Sequence, residues 1–429
     1  MDKPIITSLL DLDKYKLTMC QFVHDIHPNV HVKYQFQNRT TSIPLAQYID
    51  INELKEHIDH IKTLRFTYEE LTYLNSQSEY KPAFINWLAT KPYNTNFNLS
   101  CDKDRDINLS FDGNWDSAIL YETLILSTIN ELFGRRILNA MTQTAIKDLR
   151  ANSFNRLQDK LNILNGIPDI KYIEFGTRRR HSQEHQRAVL NTCITKTPNN
   201  LLGTSNYLLA KEFGVKPIGT MAHELPMVRS ALDMVKIGCY SEPDYIEIDS
   251  IPKRDTQKKT IKAWMGYYCL DMRVILTDTF GTATFIEDMK NDKDYADNIH
   301  SIRQDSGDPI IFGHKMIDLY NSLGIDPKHK SIVFSDGLDI NSILKIYNEF
   351  KGKINISFGW GTSLTNDISI KPLSIVIKAA EAKYTHINML PIPTVKLSDN
   401  INKAIGPKHH IKYYKEVFKP EQADIETVY

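Results

Sequence analysis

The sequence predicts an α/β protein whose parallel sheet closes, or nearly closes, into a β/α barrel. From about residue 169 onward, short apolar segments alternate with helical patterns, and seven of these segments end in a polar loop that contains glycine. Strands that alternate with helices pair in parallel through right-handed crossovers. A doubly wound open sheet is the alternative, and both folds place function at the carboxyl ends of the strands.

Length and charge limit the classes of protein that fit. A chain of 429 residues is long enough for two or three domains with a sizeable core. Lys plus Arg and Asp plus Glu number 52 each. No overall basic charge therefore points to a nucleic acid or a membrane surface as partner, and an anionic ligand must be held by a local cluster.

Cysteine usage and hydropathy indicate the compartment. The five cysteines are scattered without a CxxC pair, which is poor evidence for disulfides or structural zinc and fits a reducing cytosol. No signal-peptide pattern opens the sequence, and no apolar run reaches membrane-spanning length. We therefore expect a cytoplasmic protein without membrane contacts.

The part of the chain that precedes the barrel mixes helical and strand patterns without a repeat. Apolar residues at helical spacing predict helices, and alternation of apolar and polar residues predicts strands. A domain boundary is expected near residue 135. The predicted elements are a helix over 9–22, strands over 30–36 and 107–111, a turn over 112–114, a helix over 120–133 that Gly134 interrupts, and a helix over 135–164.

The barrel segments follow one another with short loops. Each predicted strand is apolar, and most are followed by a helical pattern. The predicted strands and the loops after them are 170–175 and 176–180, 200–202 and 203–206, 216–218 and 219–224, 273–276 and 277–282, 300–302 and 303–308, 331–334 and 335–339, and 354–358 and 359–363. The predicted helices between them include 184–190 and helices that end near 213, 237 and 350.

If the barrel is right, these loops converge on one face that is rich in phosphate-binding chemistry. Glycine lets a backbone N–H approach a phosphate closely, and Arg and hydroxyl side chains contact its oxygens. Carboxylates among such groups are typical of a site for ribose hydroxyls or for Mg²⁺, which is held by a few carboxylates and by substrate phosphates. The charged loop residues are Arg178, Arg303, Asp278, Asp305, Asp308 and Asp336.

His223 lies next to Glu224 in the loop after the third predicted strand. A neutral imidazole is a good nucleophile near neutral pH, so this position suits nucleophilic or acid–base chemistry. For a lone His, a structural role is the simpler interpretation, and the similar polar loops at the other strand ends favour the functional one. Either Asp278 or Glu224 could orient His223 and stabilise its charged form.

Seven motifs, in order along the chain, resemble those of the nicotinate phosphoribosyltransferase family. One motif alone would be weak evidence, whereas seven in the right order make coincidence implausible. They are DLDKYKLTM at 11–19, FGTRRR at 175–180, GTSN at 203–206, GTMAHE at 219–224, RQDSGD at 303–308, SDGLD at 335–339 and GWGTSL at 359–364.

The resemblance implies a reaction and an architecture. Nicotinate and 5-phosphoribosyl 1-pyrophosphate would give nicotinate mononucleotide and pyrophosphate, with Mg²⁺ as cofactor and with ATP as co-substrate that transiently phosphorylates His223. This reaction brings salvaged nicotinate into NAD synthesis. The implied fold is an irregular β/α barrel over 136–370 with an additional α+β N-terminal domain over 1–135, which the C-terminal segment 371–429 helps to complete.

The resemblance also implies roles for single residues. Tyr15 and Phe175 match the aromatic pair that sandwiches the pyridine ring, Thr220 and Arg303 match nicotinate contacts, and Arg178 is expected near its carboxylate. His223, with Glu224 or Asp278, forms the expected catalytic group, whereas no metal ligand is assigned. Residues expected to bind phosphoribosyl pyrophosphate are Asp305, Asp336, Gly337, Gly359, Gly361, Thr362 and Ser363.

Several alternatives stay open at this point. Nicotinamide could be the substrate in place of nicotinate, because the charges that would discriminate the two are not located. A quinolinate-using enzyme needs a further basic cluster and no ATP-linked His, and a nucleotide sensor has no use for the full set of groups. Arg179 and Arg180 are expected at a solvated helix start, or as charges that steer the substrate, and not as direct ligands. A homodimer is left open, because some related enzymes build sites across a dimer interface.

Overall fold

The computed structural model describes residues 3–90, 95–101, 106–237, 246–400 and 403–420. Its α-helices are, in order from α1 to α17, Lys14–Ile26, Ile51–Thr63, Tyr68–Asn75, Pro82–Thr90, Trp115–Ala118, Tyr121–Asn139, Gln143–Asn165, Gln183–Lys196, Tyr207–Phe213, Glu224–Asp233, Thr256–Tyr267, Thr282–Lys290, Lys293–Asn298, Pro309–Ser322, Ile340–Phe350, Thr362–Thr365 and Lys408–Phe418. The strands from β1 to β13 are Val30–Asn38, Asn96–Cys101, Ile107–Asn114, Tyr172–Glu174, Leu201–Thr204, Val235–Ile237, Ile246–Ile248, Val274–Leu276, Ser301–Gln304, Ser331–Phe334, Asn355–Trp360, Ile375–Tyr384 and Ile392–Pro393.

An antiparallel sheet combines strands from both ends of the chain, in the order β13-β12-β1-β3-β2. Val30 pairs with Tyr384 and Asn38 with Ile375, so the C-terminal strand β12 runs along the whole of β1. Inward and outward side chains alternate along β1, as the sequence predicts for a strand with one wet face. The C-terminal segment therefore completes the N-terminal sheet.

The parallel sheet has the order β5-β4-β11-β10-β9-β8, and an irregular segment joins its two edges. At one edge, the Ile218 N–H donates to the Thr204 carbonyl at 2.8 Å; at the other, the Met221 N–H donates to the Val274 carbonyl at 3.1 Å. The segment was predicted as a strand, but within it the ladder is reduced to one bridge at Pro217, which has no N–H to donate. The predicted irregular barrel with an N-terminal α+β domain is confirmed, whereas the boundaries at residues 135 and 370 stay a prediction.

The segment before α1 docks onto the barrel and sets the position of Tyr15. The sequence pattern predicts a helix from residue 9, but the helix begins only at Lys14. Asp13 forms a bridge with Asn206, and the Lys14 N–H donates to the Ser205 carbonyl at 2.7 Å. These tertiary hydrogen bonds take the place of a first helical turn, and they hold the start of α1 over the carboxyl end of β5.

Three other predicted boundaries are wrong. Helix α6 continues through Gly134 to Asn139, because a glycine costs a helix only about 1 kcal/mol, so the helix predicted over 135–164 begins only at Gln143 as α7. A Cβ at position 134 would lie 2.8 Å from the His181 ring, which accounts for the glycine. The predicted turn over 112–114 is strand, with Gly113 paired to Val32. Helix α10 ends at Asp233, and the chain then forms the hairpin strand β6.

The apolar core is continuous from the antiparallel sheet to the barrel. Leu12, Leu17, Met19 and Cys20, the predicted apolar face of the first helical segment, are all fully buried. None of the helices in the described ranges is both long and apolar enough to cross a membrane.

Candidate active site

A small pocket with a cavity volume of about 20 Å³ lies at the carboxyl ends of the barrel strands. All five side chains predicted to contact a pyridine ring and its carboxylate line it, although they are far apart in the sequence. The start of α1 and the irregular segment 216–221 complete its wall. The lining residues are Asp13, Tyr15, Phe175, Arg178, Ser205, Ile218, Gly219, Thr220 and Arg303. We call this space the ring pocket.

Arg303, in β9, connects the ring pocket to the groups beyond it. Its guanidinium donates to the Thr220 hydroxyl at 3.1 Å, to the Ser335 hydroxyl at 2.8 Å and to the Asp305 carboxylate at 2.8 Å. The guanidinium carbon also lies 5.4 Å from the centre of the Phe175 ring, within cation–π distance. The orientation of this guanidinium is therefore fixed from three sides.

Arg178 lies on the other side of the ring pocket, next to Tyr15. Its guanidinium is 3.4 Å from the Asp13 carboxylate, 3.6 Å from Glu122 and 5.9 Å from the centre of the Tyr15 ring. Burial opposes the charge, but the neighbouring Tyr15, Asp13 and Glu122 hold the pKa of Arg178 above its ordinary value. The ring pocket thus carries a guanidinium beside each of its two aromatic rings.

Gly359 has a packing role at this site. A Cβ at position 359 would lie 2.5 Å from Cδ2 of Phe175, which no side chain contact allows. The Phe175 ring lies over the backbone of β11 at this point, so a glycine is required for the ring to reach the pocket. Trp360 next to it is fully buried and belongs to the core.

His223 lies at the start of α10 in a cluster of charged groups. Its Nδ1 atom is 3.0 Å from the Thr279 hydroxyl. Its Nε2 atom is 3.1 Å from the Lys396 ammonium, 3.2 Å from Asp305 and 3.5 Å from Asp278. We call these five residues the His223 cluster, and Asp305 links it to Arg303 of the ring pocket.

The electrostatics of the His223 cluster favour a neutral imidazole beside charged carboxylates. Burial, and after it the Lys396 ammonium, lower the pKa of His223, while Asp278 and Asp305 act against this shift. Although burial raises the pKa of a carboxyl, Lys396 and His223 hold the pKa of Asp278 at about 2. In the same way, Arg303 and His223 hold the pKa of Asp305 well below its ordinary range.

The two carboxylates proposed to orient His223 are in different surroundings. Oδ1 of Asp278 is buried without a hydrogen-bond partner in the described structure and lies 3.5 Å from Nε2 of His223. Glu224 instead accepts from the Tyr34 hydroxyl at 2.5 Å and from the Trp115 indole at 2.7 Å, and it pairs with Lys16 at 2.8 Å. Of these two carboxylates, only Asp278 is therefore placed beside the imidazole.

Three of the residues predicted to bind phosphoribosyl pyrophosphate lie in the turn that starts α16. Gly361, Thr362 and Ser363, which we call the phosphate loop, are partly exposed. The Ser363 hydroxyl accepts from the Trp360 indole at 2.6 Å and donates to the Leu338 carbonyl at 2.5 Å. The hydroxyl of Ser363 is therefore already engaged, so the backbone N–H groups are the donors left for an anion.

Asp336 and Gly337 follow β10, at the same edge of the sheet. Gly337 has a positive φ of 58°, a backbone conformation that favours glycine. Asp336 pairs with the Lys403 ammonium at 2.7 Å. Asp308, by contrast, caps α14 by accepting from the N–H groups of Ile310 and Ile311, so its role is structural.

Sequence reasoning missed the lysines that the C-terminal segment brings to the site. Lys396 lies beside His223, and Lys403 beside Asp336. Lys378 of β12 lies near Glu122, 3.8 Å from its carboxylate, and burial lowers the pKa of Lys378 to about 8. A lysine inside the apolar run 392–397 is a weak sequence signal for Lys396, whereas nothing local marks the other two.

The prediction that Arg180 is exposed to solvent is wrong. It was expected at a solvated helix start, but its side chain is fully buried and forms two parallel hydrogen bonds of 2.6 Å to Asp11. Asp11 also accepts from Asn206 at 2.8 Å and from Gln183 at 2.9 Å. This ion pair joins the first sequence motif to the barrel and is structural.

The carboxylates present would hold Mg²⁺ only together with a substrate. Within the described ranges, no group of three or more His, Cys, Asp or Glu side chains is placed to bind a metal ion. Asp305 and Asp336 are each paired with a protein cation, Arg303 and Lys403 respectively. This donor set fits an ion that is bound mainly by phosphate oxygens and water, as Mg²⁺ in nucleotide sites often is.

Comparisons with known proteins agree along nearly the whole chain. Residues 170–422 match the model of the nicotinate phosphoribosyltransferase (NAPRTase) family, and residues 10–130 match that of its N-terminal domain. Nicotinate phosphoribosyltransferase from Vibrio cholerae is 32% identical, with a TM-score of 0.81 over 99% of this chain and 96% of that chain. The enzyme from Porphyromonas gingivalis is 27% identical, with a TM-score of 0.84 over 97% of this chain and all of that chain.

Proposed function

The chain belongs to the nicotinate phosphoribosyltransferase family, and on this premise we propose that it forms nicotinate mononucleotide and pyrophosphate from nicotinate and 5-phosphoribosyl 1-pyrophosphate, coupled to ATP hydrolysis. The observation that carries the proposal is the convergence of Tyr15, Phe175, Arg178, Thr220 and Arg303 on one small pocket. Through Arg303 and Asp305 this pocket adjoins a histidine whose surroundings suit a nucleophile. NAD salvage is the corresponding metabolic role.

The ring pocket supports nicotinate as the ring that is held. Tyr15 and Phe175 would contact the two faces of a pyridine ring. The backbone of Tyr15 is held in α1, and that of Phe175 at the end of β4. Arg178 and Arg303 would place two guanidiniums near its carboxylate, which favours an anion over a neutral amide. Nicotinamide therefore becomes the weaker alternative.

Glycosyl transfer needs the ring nitrogen to be aligned with the anomeric carbon. The nitrogen lone pair forms the new C–N bond while the C–O bond to pyrophosphate breaks, and positive charge develops on the ribose. The phosphate loop would hold the 5-phosphate through its N–H groups, and Asp305 and Asp336 would contact the ribose hydroxyls. Bound with the pyrophosphate, Mg²⁺ would supply charge neutralisation of the leaving group, and Asp305 or Asp336 would be its protein ligand.

His223 is the proposed acceptor of the ATP phosphoryl group. A lone pair of its neutral imidazole attacks the γ-phosphorus, the bond to the bridging oxygen breaks, and ADP leaves with that electron pair. Water later cleaves the P–N bond and releases phosphate. The lowered pKa of His223 keeps the lone pair available at neutral pH, Asp278 would orient the ring, and Lys396 would stabilise the phosphoryl oxygens.

The proposal is tested by offering nicotinate, nicotinamide and quinolinate separately, each with phosphoribosyl pyrophosphate and Mg²⁺, with and without ATP. We expect mononucleotide formation from nicotinate only, and faster formation with ATP. Turnover of nicotinamide in place of nicotinate would support the alternative and contradict the roles given to Arg178 and Arg303. No turnover of any of the three would overturn the proposed reaction.

The phosphohistidine is tested by His223→Ala. This variant should lose all ATP stimulation and all acid-labile label from [γ-³²P]ATP, while slow formation of nicotinate mononucleotide remains, because the ring pocket is unchanged. His410→Ala, which removes a histidine of α17 outside the cluster, is the matched control. Equal ATP stimulation in His223→Ala would rule out the phosphohistidine.

A further inference from the structure

A second, larger cavity lies between helices α7 and α8, behind the phosphate loop. Its cavity volume is about 240 Å³, against about 20 Å³ for the ring pocket. The two linings share no residue. We call it the α7–α8 cavity. The reaction proposed above makes no use of it.

The lining of the α7–α8 cavity is apolar at its base and aromatic at its rim. Leu157, Val189 and Leu364 form buried parts of the wall. The Phe154 ring, also in the lining, is 51% exposed although it is a large hydrophobic side chain. An exposed aromatic ring next to an apolar recess is typical of a surface that binds a ligand.

Two uncharged histidines add flat polar surface to this lining. The rings of His181 and His185 lie 5.7 Å apart and nearly perpendicular. Burial, followed by the charges of neighbouring groups that include Arg150, lowers the pKa of each to about 4. At neutral pH both imidazoles can therefore stack on, or hydrogen bond to, a flat ligand without a cost in charge desolvation.

The charged groups of the lining leave positive charge for a ligand. Asp367 is shared between Lys160 at 2.6 Å and Arg156 at 3.0 Å, so its negative charge is already matched. Arg150 lies on the exposed face of α7 and lines the cavity mouth. Glu184 is the other carboxylate of the lining, and it is exposed at the start of α8. The cavity thus combines an apolar recess with a basic edge.

The wall of the α7–α8 cavity is also the support of the phosphate loop. The Lys160 ammonium donates to the Ser363 carbonyl at 2.6 Å, and the His181 N–H donates to the Thr365 carbonyl at 3.2 Å. Lys160 therefore contacts the phosphate loop directly while it lines the cavity. An anion in the cavity would compete with the Ser363 carbonyl for this ammonium.

We propose that the α7–α8 cavity is a regulatory site for a flat aromatic anion, whose binding draws Lys160 away from Ser363 and weakens the phosphate loop. The binding itself is independent of the reaction proposed above; only its effect on the loop rests on that proposed function. Occupation of the cavity should raise the KM for phosphoribosyl pyrophosphate and leave the KM for nicotinate unchanged, because the ring pocket is separate.

The binding is tested with 8-anilinonaphthalene-1-sulfonate, an aromatic anion that fluoresces in apolar surroundings, at saturating nicotinate so that the ring pocket is filled. Ala188→Phe fills the mouth of the cavity from an exposed position and should abolish saturable binding. Arg150→Ala should weaken it about two- to fivefold, as an exposed charge pair does. Lys147→Ala, on an exposed face of α7 outside the lining, is the matched control and should change nothing.

Equal binding to the wild type and to Ala188→Phe would overturn the site, whatever reaction the protein catalyses. The effect on the phosphate loop is tested by the KM for phosphoribosyl pyrophosphate, which should rise with the probe in the wild type and stay constant in Ala188→Phe. The regulatory role would be overturned if the probe bound saturably, and Ala188→Phe abolished this binding, but the KM for phosphoribosyl pyrophosphate did not rise. A chain that binds the probe in this way but catalyses no transfer would contradict the proposed function and leave the binding site supported.

Discussion

The ring pocket and the His223 cluster lie next to each other but are encoded differently. Every residue predicted for the ring pocket comes from α1, from a strand end or from the loop after a strand, and all of them line it. In the His223 cluster, the predicted His223, Asp278 and Asp305 are joined by Lys396, from a C-terminal segment that no motif marks. The barrel loops have local sequence signals, whereas the position of Lys396 beside His223 depends on tertiary packing alone.

Charge is also balanced differently in the two regions. In the ring pocket, Arg178 and Arg303 keep guanidinium surface for a ligand although each touches a carboxylate. In the His223 cluster, one imidazole lies within 3.5 Å of two carboxylates and an ammonium. The ring pocket is therefore suited to holding an anion in place, and the His223 cluster to accepting a charged group that comes and goes.

Arg303→Ala should have the largest effect, because Arg303 lines the ring pocket and pairs with Asp305 of the His223 cluster. It removes the contacts to Thr220 and Ser335 and leaves Asp305 without its closest cation. Breaking a largely buried charge pair costs about 3–5 kcal/mol, so kcat/KM for nicotinate should fall roughly 10²- to 10⁴-fold. Steady-state kinetics with varied nicotinate measures this loss, and ATP stimulation should fall with it.

Arg187→Ala is the control for Arg303→Ala. Its guanidinium pairs with Glu212 at the surface, where both side chains are about one-third exposed. Kinetic constants within twofold of the wild type are expected for it. If Arg303→Ala lowered turnover but left the ATP stimulation intact, the two regions would not be joined through Arg303.

The sequence predicts the parallel strands more accurately than the contacts that close the site. β10 was predicted with its observed bounds, because a serine and three apolar residues between a lysine and a polar loop leave little choice. The irregular segment around Pro217 was predicted as a strand, since its apolar character does not reveal that a proline interrupts the ladder. Strand position is thus a local property, and edge pairing is not.

Buried charge is the property that sequence reasoning estimated worst. Arg180 stands in a run of three arginines, which is typical of a solvated surface, yet it is fully buried against Asp11. Its partner lies 169 positions earlier in the chain. A single sequence gives no information on a pair at this separation, and the same holds for Lys396 and His223.

Lys396→Met should affect the His223 cluster and leave the ring pocket unchanged. Its effect on turnover should be smaller than that of Arg303→Ala. The change removes the ammonium beside Nε2 of His223 and keeps the length of the side chain. ATP-stimulated turnover should fall about tenfold at pH 8, the loss of roughly one charge-assisted contact. The KM for nicotinate should not change, because Lys396 does not line the ring pocket.

The pH dependence gives a second test of Lys396→Met. Lys396 lowers the pKa of His223, so its removal should raise that pKa, and Asp278 and Asp305 raise it further. The imidazole then takes up a proton at higher pH and loses its nucleophilic lone pair. The acid limb of the ATP-stimulated rate should therefore move upward in pH in Lys396→Met and stay in place in Lys412→Met, an exposed lysine of α17. A limb that does not move would show that Lys396 exerts no electrostatic effect on His223.

Phe175→Leu should have the smallest effect, and it should be confined to the ring pocket. Aromatic stacking contributes about 0.5–1.5 kcal/mol, so the KM for nicotinate should rise roughly two- to tenfold. The ratio of rates with and without ATP should stay constant, because Phe175 makes no contact with His223 in the described contacts. Tyr68→Leu, which changes an exposed aromatic residue of α3 outside both cavities, should leave both quantities unchanged. A change in the ATP ratio of Phe175→Leu would mean that ring binding and phosphorylation are coupled through the contact between the Phe175 ring and Arg303.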